Sequence, residues 1–239
     1  MAAEVGYSET AFVSPASGSR RTVRYFSPER EIPFCGHATV AAGVALGDAE
    51  GNGVYVFETS VGSVPVAVSG APGVRRAALT SVEPQTKQVP PELLAGALRL
   101  LGWATADLDS ALPPVLAYAG AWHLVIAVAH RARLAALDYD FDGLRTLMLN
   151  HDLTTLQLVW RESEDLFHAR NPFPIGGLVE DPATGAAAAA LGGYLRTLRQ
   201  AGGTRFRVRQ GEDMGRPSDI FVEVPPRGGI VVSGTAVRI

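Results

Sequence analysis

The chain has 239 residues, 47 % hydrophobic and 19 % charged, a globular balance that suits one large or two modest domains and excludes a disordered chain. A formal net charge of −3 gives no electrostatic basis for binding nucleic acid or an anionic membrane. One cysteine, Cys35, excludes an internal disulfide framework, apolar runs such as LVIAVA at 124–129 are far short of a bilayer span, and no secretory signal opens the chain, so a soluble cytoplasmic protein is expected.

In chain order, RTVRYFSP (21–28) reads as a strand that stops at Pro28. ATVAAGVALG (38–47) reads as an apolar helix of small residues. A hairpin is expected over 53–70 around Val61 and Gly62, and a further strand over 75–82. PPELLAGALRLLGW (90–103) is a helix with proline at its start and glycine near its end. A strand pair with a turn near Gly120 covers 114–130, followed by a helix over 141–150 and strand sequence at 155–162 and 165–174. A second small-residue helix is expected over 184–200, then strands at 204–211, 219–226 and 229–239. Strands in pairs around single helices make an α+β pattern, without the strict alternation of a parallel sheet.

The order carries a duplication. Arg24, Pro28 and Cys35 recur in spacing as Arg170, Pro174 and Asp181, and each triplet follows a strand and leads into a small-residue helix, GHATVAAGVAL or TGAAAAALGGYL. Two lobes, each a sheet wrapped on a helix, are the architecture this implies. The first lobe is expected over 1–90, with the chain end able to return to it, and the second over 91–239.

A helix N-terminus exposes unpaired N–H groups and the positive end of its dipole, and Gly or Ala there lets an anionic ligand approach the backbone. Alternatively, the small residues serve only to thread each helix through a curled sheet. Asp181 in EDPATG fits a helix cap or a substrate-facing acid; His37 in CGHAT holds the matching place in the first half and fits a structural or a proton-transfer role. Glu9, in GYSETAFV (6–13), fits a solvated turn acid as readily as a catalytic one. His123 lies in a strand pattern, and His130, His151 and His168 sit at element edges. No metal-ligand spacing, phosphate loop or nucleophile elbow is visible.

Together GYSETAFV, RYFSPEREIPFCGHATVAAGVAL, GLVEDPATGAAAAALGGYL, RQGEDMGRPS and VSGTAV resemble the PhzF-like family, phenazine-biosynthesis isomerase homologues with the diaminopimelate epimerase fold. The resemblance implies two pseudo-symmetric lobes, each a curled, mostly antiparallel sheet around a central helix, with the active site between them. It also implies a cofactor-free reaction without a metal, a small carboxylated substrate and a homodimer. Carried over residue by residue, it puts the acid/base on Glu9, the active-site histidine on His37 and the aspartate on Asp181. Backbone amides at Gly36, Gly185 and Ala186 become candidates for holding a carboxylate. The family's phenazine enzyme has a substrate-contacting serine where this chain has Ala186, which puts the phenazine substrate itself in doubt. Epimerases of the same fold use two opposed cysteines; with Cys35 alone a two-thiol racemisation is not available, whereas proton transfer by one carboxylic acid is.

The family pattern begins with strands and a helix that this sequence lacks, since MAAEVGYSET resembles only the last turn of that helix. A first lobe short of its N-terminal strands is therefore expected. Two functions follow: an isomerase moving a proton and a double bond within a small carboxylated metabolite, in secondary metabolism; or a catalytically silent binding or scaffold protein that retains the fold.

Overall fold

The computed structural model describes residues 4, 9–14, 18–27, 31–32, 34–198 and 204–237. Pro28, most of the segment before Glu9, residues 199–200 of the expected second small helix and residues 238–239 of the last strand lie outside them. The chain divides into two units, Met1–Thr80 with Val231–Ile239, and Ser81–Ile230. The division precedes residue 90 because Gln85–Gln88 already pairs with Val115–Tyr118 in the second unit. The end of the chain belongs with the first unit because Val231–Thr235 lies antiparallel to Arg76–Thr80.

In the first unit the strands are β1 (Thr10–Val13), β2 (Arg20–Phe26), β3 (Glu31–Ile32), β4 (Gly53–Thr59), β5 (Gly62–Ser69), β6 (Arg76–Thr80) and β15 (Val231–Thr235). They run β1-β2-β4-β5-β6-β15 with β3 on β2, antiparallel except for β2 beside β4. The two-residue turn of Ser60 and Val61 joins β4 to β5, and Gly62 takes φ 114° to close it. Helix α1 (Gly36–Glu50) lies against β5, β6 and β15. Alternate residues of β2, β4 and β5 supply the core, with Val23, Tyr25, Tyr55, Phe57, Val66 and Val68 buried against it.

In the second unit β7 (Gln85–Gln88), β8 (Val115–Tyr118), β9 (Trp122–Val128), β10 (Thr155–Arg161), β11 (Leu166–Phe173), β13 (Arg205–Gln210) and β14 (Ser218–Glu223) form one run, with β12 (Leu178–Asp181) on β11. The β9/β10 and β11/β13 pairs are parallel and the other pairings described are antiparallel. Helix α5 (Gly185–Thr197) packs on β7, β8, β9, β10 and β14, and every residue from Ala187 to Leu195 is buried. The opposite face is covered by α2 (Pro91–Leu101) and α4 (Phe141–Asn150), with the one-turn α3 (Arg131–Ala135) beside it. Proline at N1, Arg99 in the last turn and Gly102 in the left-handed conformation bound α2 as the sequence indicates, and Asp140 caps α4 by accepting from Gly143 N–H at 3.0 Å. With both faces covered, β9 and β10 are almost continuously buried, and their alternate residues Leu124, Ile126, Val128, Leu156 and Leu158 join the α2/α4 core.

The duplication is structural. In each unit a long strand carries the arginine of its triplet (Arg24 in β2, Arg170 in β11), turns back through a short antiparallel strand (β3 or β12) and enters the small-residue helix (α1 or α5). Each arginine forks onto a glutamate of that returning segment, Glu31 or Glu180. The architecture is α+β with two pseudo-symmetric units of the diaminopimelate epimerase type. Strands β7 and β12 were not legible as separate elements, and α3 is too short for a periodic signal.

Two expectations test this packing. A Cβ added at Gly43 of α1 would lie 2.7 Å from Val66 Cγ1 and 2.9 Å from Ala77 Cβ. Helix propensity alone makes Gly→Ala stabilising by roughly 1 kcal/mol. Overpacking reverses the sign here, so Gly43→Ala is expected to lower stability by about 1–3 kcal/mol in urea unfolding, while Ala41→Gly, on the exposed side, costs about 1 kcal/mol or less. In the second unit burial pushes the pKa of His123 down from 6.5 to about 3, because the charged imidazole loses its hydration; a hydrogen bond to Thr155 opposes this. A depressed folded pKa gives stability that is complete above pH 6.5 and lost as pH falls towards 3. Urea titrations are expected to show about 1.4 kcal/mol less stability per pH unit over that window in the wild type than in His123→Gln.

Candidate active site

The first unit brings Glu9 and His37 together. Glu9 stands one residue before β1, and β1 pairs with β2 from Thr10 opposite Phe26 to Val13 opposite Val23. His37 is the second residue of α1, following the short returning strand β3. Glu9 Oε2 lies 3.1 Å from His37 Nε2, and the Glu9 side chain is only 4 % exposed, against 26 % for His37. A solvated turn acid would not be so enclosed.

Cys35 is the N-cap residue of α1 but makes no side-chain cap. Its sulfur is 3.6 Å from each ring nitrogen of His37. A single helical turn below, Thr39 Oγ1 donates to the Cys35 carbonyl at 2.6 Å. The Thr39 hydroxyl is thereby committed as a donor, so the Tyr25 hydroxyl, 2.6 Å away, donates to it. Burial of Tyr25 pushes its pKa up to about 12, keeping it a donor. This chain of bonds fixes the first turn of α1 against β2.

Glu9, Cys35 and His37 each offer one candidate metal-ligand atom, all within 4.8 Å of one another. The sequence conceals this cluster because Glu9 is distant from the other two. The sulfur's equal distance from both ring nitrogens sets it beside the imidazole, away from the in-plane direction along which Nε2 would hold a metal that Cys35 shared. The three residues as placed suit proton exchange between Glu9 and His37 better than shared coordination.

In the second unit Asp181 ends β12, opposite Asn171 of β11, and is 6 % exposed. It is not the cap residue: Thr184 holds the N-cap position of α5, without a side-chain cap. The Asp181 carboxylate accepts from Thr184 Oγ1 at 2.8 Å and from Ala183 N–H at 3.3 Å. Gln210, at the end of β13, donates to the Asp181 carbonyl at 2.6 Å and to Thr184 Oγ1 at 2.9 Å, and accepts from Thr184 N–H at 3.1 Å. Gly185 and Ala186 then open α5, as Gly36 and His37 open α1. Since neither N-cap residue turns its side chain on its helix, the amides of each first turn are left to other acceptors.

The neighbouring Glu180 forms a buried pair with Arg170, whose Nε donates at 2.9 Å and whose Nη2 contacts the other carboxylate oxygen. Arg170 also donates to the carbonyl of Ala135 at 2.9 Å. Removing one partner would strand a buried charge, so the pair holds β12 in place on β11. Gln210, Thr184 and the Arg170–Glu180 pair escaped the sequence reading of the site. The signal for the pair was present in the repeated arginine spacing. Gln210 is a long-range partner that no local pattern marks.

The fold agrees with comparisons against known proteins. The family model of the PhzC-PhzF, or phenazine biosynthesis-like, proteins matches residues 1–239. An uncharacterised isomerase of Bacillus subtilis is 30 % identical over 252 aligned positions, covering 99 % of this chain and 84 % of that protein. The trans-2,3-dihydro-3-hydroxyanthranilate isomerase of Pseudomonas aeruginosa is 32 % identical, covering 95 % of this chain and 79 % of its own length. The crystal structure of a Bacillus anthracis phenazine biosynthesis protein of the PhzF family superposes with a TM-score of 0.84 at 23 % identity, over 99 % of this chain and 84 % of that one, and so shares the fold. The chain belongs to the PhzC-PhzF family of phenazine biosynthesis-like proteins and, with its relatives, is an isomerase.

Proposed function

We propose that this isomerase moves a proton, and with it a double bond, within a small cyclic carboxylate of secondary metabolism, without a cofactor and with Glu9 as the acid/base. The observation that carries the reading is the enclosed Glu9 carboxylate, 4 % exposed and 3.1 Å from His37 Nε2. A carboxylate with little water around it and an imidazole in contact can take a proton from carbon and hold it for return. The substrate of the Pseudomonas aeruginosa relative, trans-2,3-dihydro-3-hydroxyanthranilate, is a molecule of this class.

The step balances within one molecule. Glu9 removes a proton from a saturated ring carbon, and the C–H electron pair becomes a new ring double bond. The existing double bond shifts, and the carbon at its far end takes a proton from the Glu9 acid, restoring the carboxylate. Nothing is oxidised or reduced. His37, 3.1 Å from Glu9, stabilises whichever form of the carboxyl is present at each stage. Gly36 offers a first-turn amide to the substrate carboxylate beside Glu9, and Gly185, Ala186 and Asp181 are the matching candidates of the second unit for a carboxylate and for a donor group. Ala186 supplies no hydroxyl, so specificity differs from that of a serine-bearing enzyme.

Proton NMR of the chain with trans-2,3-dihydro-3-hydroxyanthranilate in D2O tests this. The wild type is expected to consume the compound and leave deuterium on a ring carbon, and Glu9→Gln to slow both by about 10²–10⁴-fold. A folded wild type that leaves this compound and related cyclic dienoic carboxylates unchanged favours the silent scaffold; a Glu9→Gln protein of undiminished rate removes Glu9 from the chemistry.

Thr184 gives a second expectation. Thr184→Val deletes a hydroxyl that donates to the Asp181 carboxylate, and a hydrogen bond to a charged group contributes about 1.5–3 kcal/mol. Turnover should fall by roughly 10–100-fold, with Thr184→Ser recovering most of it in the same assay.

A further inference from the structure

One ionic cluster of the second unit has no part in the chemistry described so far. His168 of β11 lies opposite Trp160 of β10 and Arg209 of β13, and is 8 % exposed. Both of its ring nitrogens meet carboxylates. Nε2 is 2.6 Å from Glu162 Oε2, and Nδ1 is 2.9 Å from Glu212 Oε2. An ionised carboxylate only accepts, and a neutral imidazole carries one N–H, so the two bonds together require the imidazolium.

The surroundings balance that charge. Arg131 of α3 donates to both oxygens of Asp213, at 3.0 and 2.9 Å, and lies 4.0 Å from Glu212. Arg209 is 3.7 Å from Glu212 and 3.5 Å from Asp219, and Arg207 is 3.5 Å from Asp219. Arg170, two residues on along the same face of β11, is already matched by Glu180. Three arginines (131, 207 and 209) thus stand against four acids (162, 212, 213 and 219), and His168 as a cation supplies the fourth positive charge.

The bond to Glu212 reaches the Asp181 turn within two residues. Glu212 opens the single 3₁₀ turn Glu212–Met214, flanked by Gly211 and Gly215 in the left-handed conformation. The Met214 and Arg216 N–H groups donate to the Gly211 carbonyl at 3.2 and 2.9 Å. Gly211 in turn packs on the residue after Asp181, where an added Cβ would lie 3.0 Å from the Pro182 carbonyl oxygen. Gln210, one residue earlier, bonds to Asp181 and Thr184.

We propose that His168 is a positioning residue for Asp181 and acts only as the imidazolium, anchoring the 211–216 turn to β11 behind Asp181. When the ring loses a proton, one of its two bonds must go. Glu162 has the shorter bond and no other cation beside it among the described residues, so it keeps the remaining N–H. Glu212 turns instead to Arg209 and Arg131, and the turn comes away from β11. Histidine changes charge between about pH 5 and 8, so the anchor holds at the acid end of that range and is lost as pH rises. That Asp181 serves turnover rests on the isomerase reading; that the turn follows the charge of the ring rests on the cluster alone.

NMR of the full chain from about pH 5 to 8 tests this. In the wild type the His168 ring and the amides of Gly211, Arg216 and Ala183 should titrate together. In Glu212→Gln the amides should move far less, because a side-chain amide accepts from the charged ring and donates to the neutral one. With trans-2,3-dihydro-3-hydroxyanthranilate, wild-type kcat should fall across the same interval about ten-fold more than that of Glu212→Gln. His168→Gln should stay at the low wild-type value throughout; if it does not fold, Glu212→Gln decides alone. Turn or Ala183 amides that ignore the ring's titration, or an equal fall of kcat in wild type and Glu212→Gln, would overturn the proposal. A chain that turns over nothing at any pH while these amides follow the ring overturns the isomerase reading and leaves the anchored turn standing.

Discussion

Each unit packs a sheet against a helix, on one face of α1 and on nearly every side of α5, and this constraint governs what the helix can be made of. In α5 nine consecutive residues from Ala187 to Leu195 are buried, and in α1 the glycines at 43 and 47 take the positions nearest the sheet. Alanine and glycine let the backbone approach, and alanine loses no side-chain entropy on burial. A helix so composed contributes little chemistry of its own beyond the amides of its first turn. The working side chains must come from the strands and turns that lead into it. Glu9, Cys35, Thr184 and Asp181 all lie outside the helices, and only His37, in the first turn of α1, stands within one.

The two halves solve the approach to the helix with one device used at two strengths. An arginine on the long strand forks onto a glutamate of the returning segment in both units. Between Arg24 and Glu31 the side chains are 60 % and 42 % exposed, so water competes and the pair contributes little. Between Arg170 and Glu180 they are 11 % and 5 % exposed, and neither charge can lose its partner cheaply. The second version fixes the residue beside Asp181, and Thr184 and Gln210 then fix Asp181 itself. Asp181 is held from the strand behind it, the helix ahead of it and a third strand alongside.

Much of this was legible in the chain because local rules act over few residues. Proline at the start of α2 and glycine at its end, the turn before Gly62, and the two small-residue helices all declare themselves within a few positions. The repeated arginine spacing gave the duplication. Strands β7 and β12 were missed because four-residue segments among prolines and glycines show no alternation, and their existence depends on partners elsewhere in the chain. The site followed the same division. Resemblance located Glu9, His37 and Asp181, but Glu9's enclosure against His37 and Gln210's hold on Asp181 depend on distant parts of the chain. Gln157 stands between apolar residues of β10, a signal visible in LQLVW yet meaningless until both faces of β10 were known to be covered.

The alanine run of α5 also bears on how such a protein changes over generations. Where nine neighbouring positions are enclosed and already filled with mostly minimal side chains, almost every substitution enlarges something that has no room to grow. Variation there is removed as unstable before it can be tried as new activity. The helix is thus the inherited part, and novelty is channelled into the strands beside it, where an asparagine, glutamine or histidine can be exchanged without moving the axis on which the whole unit is wound.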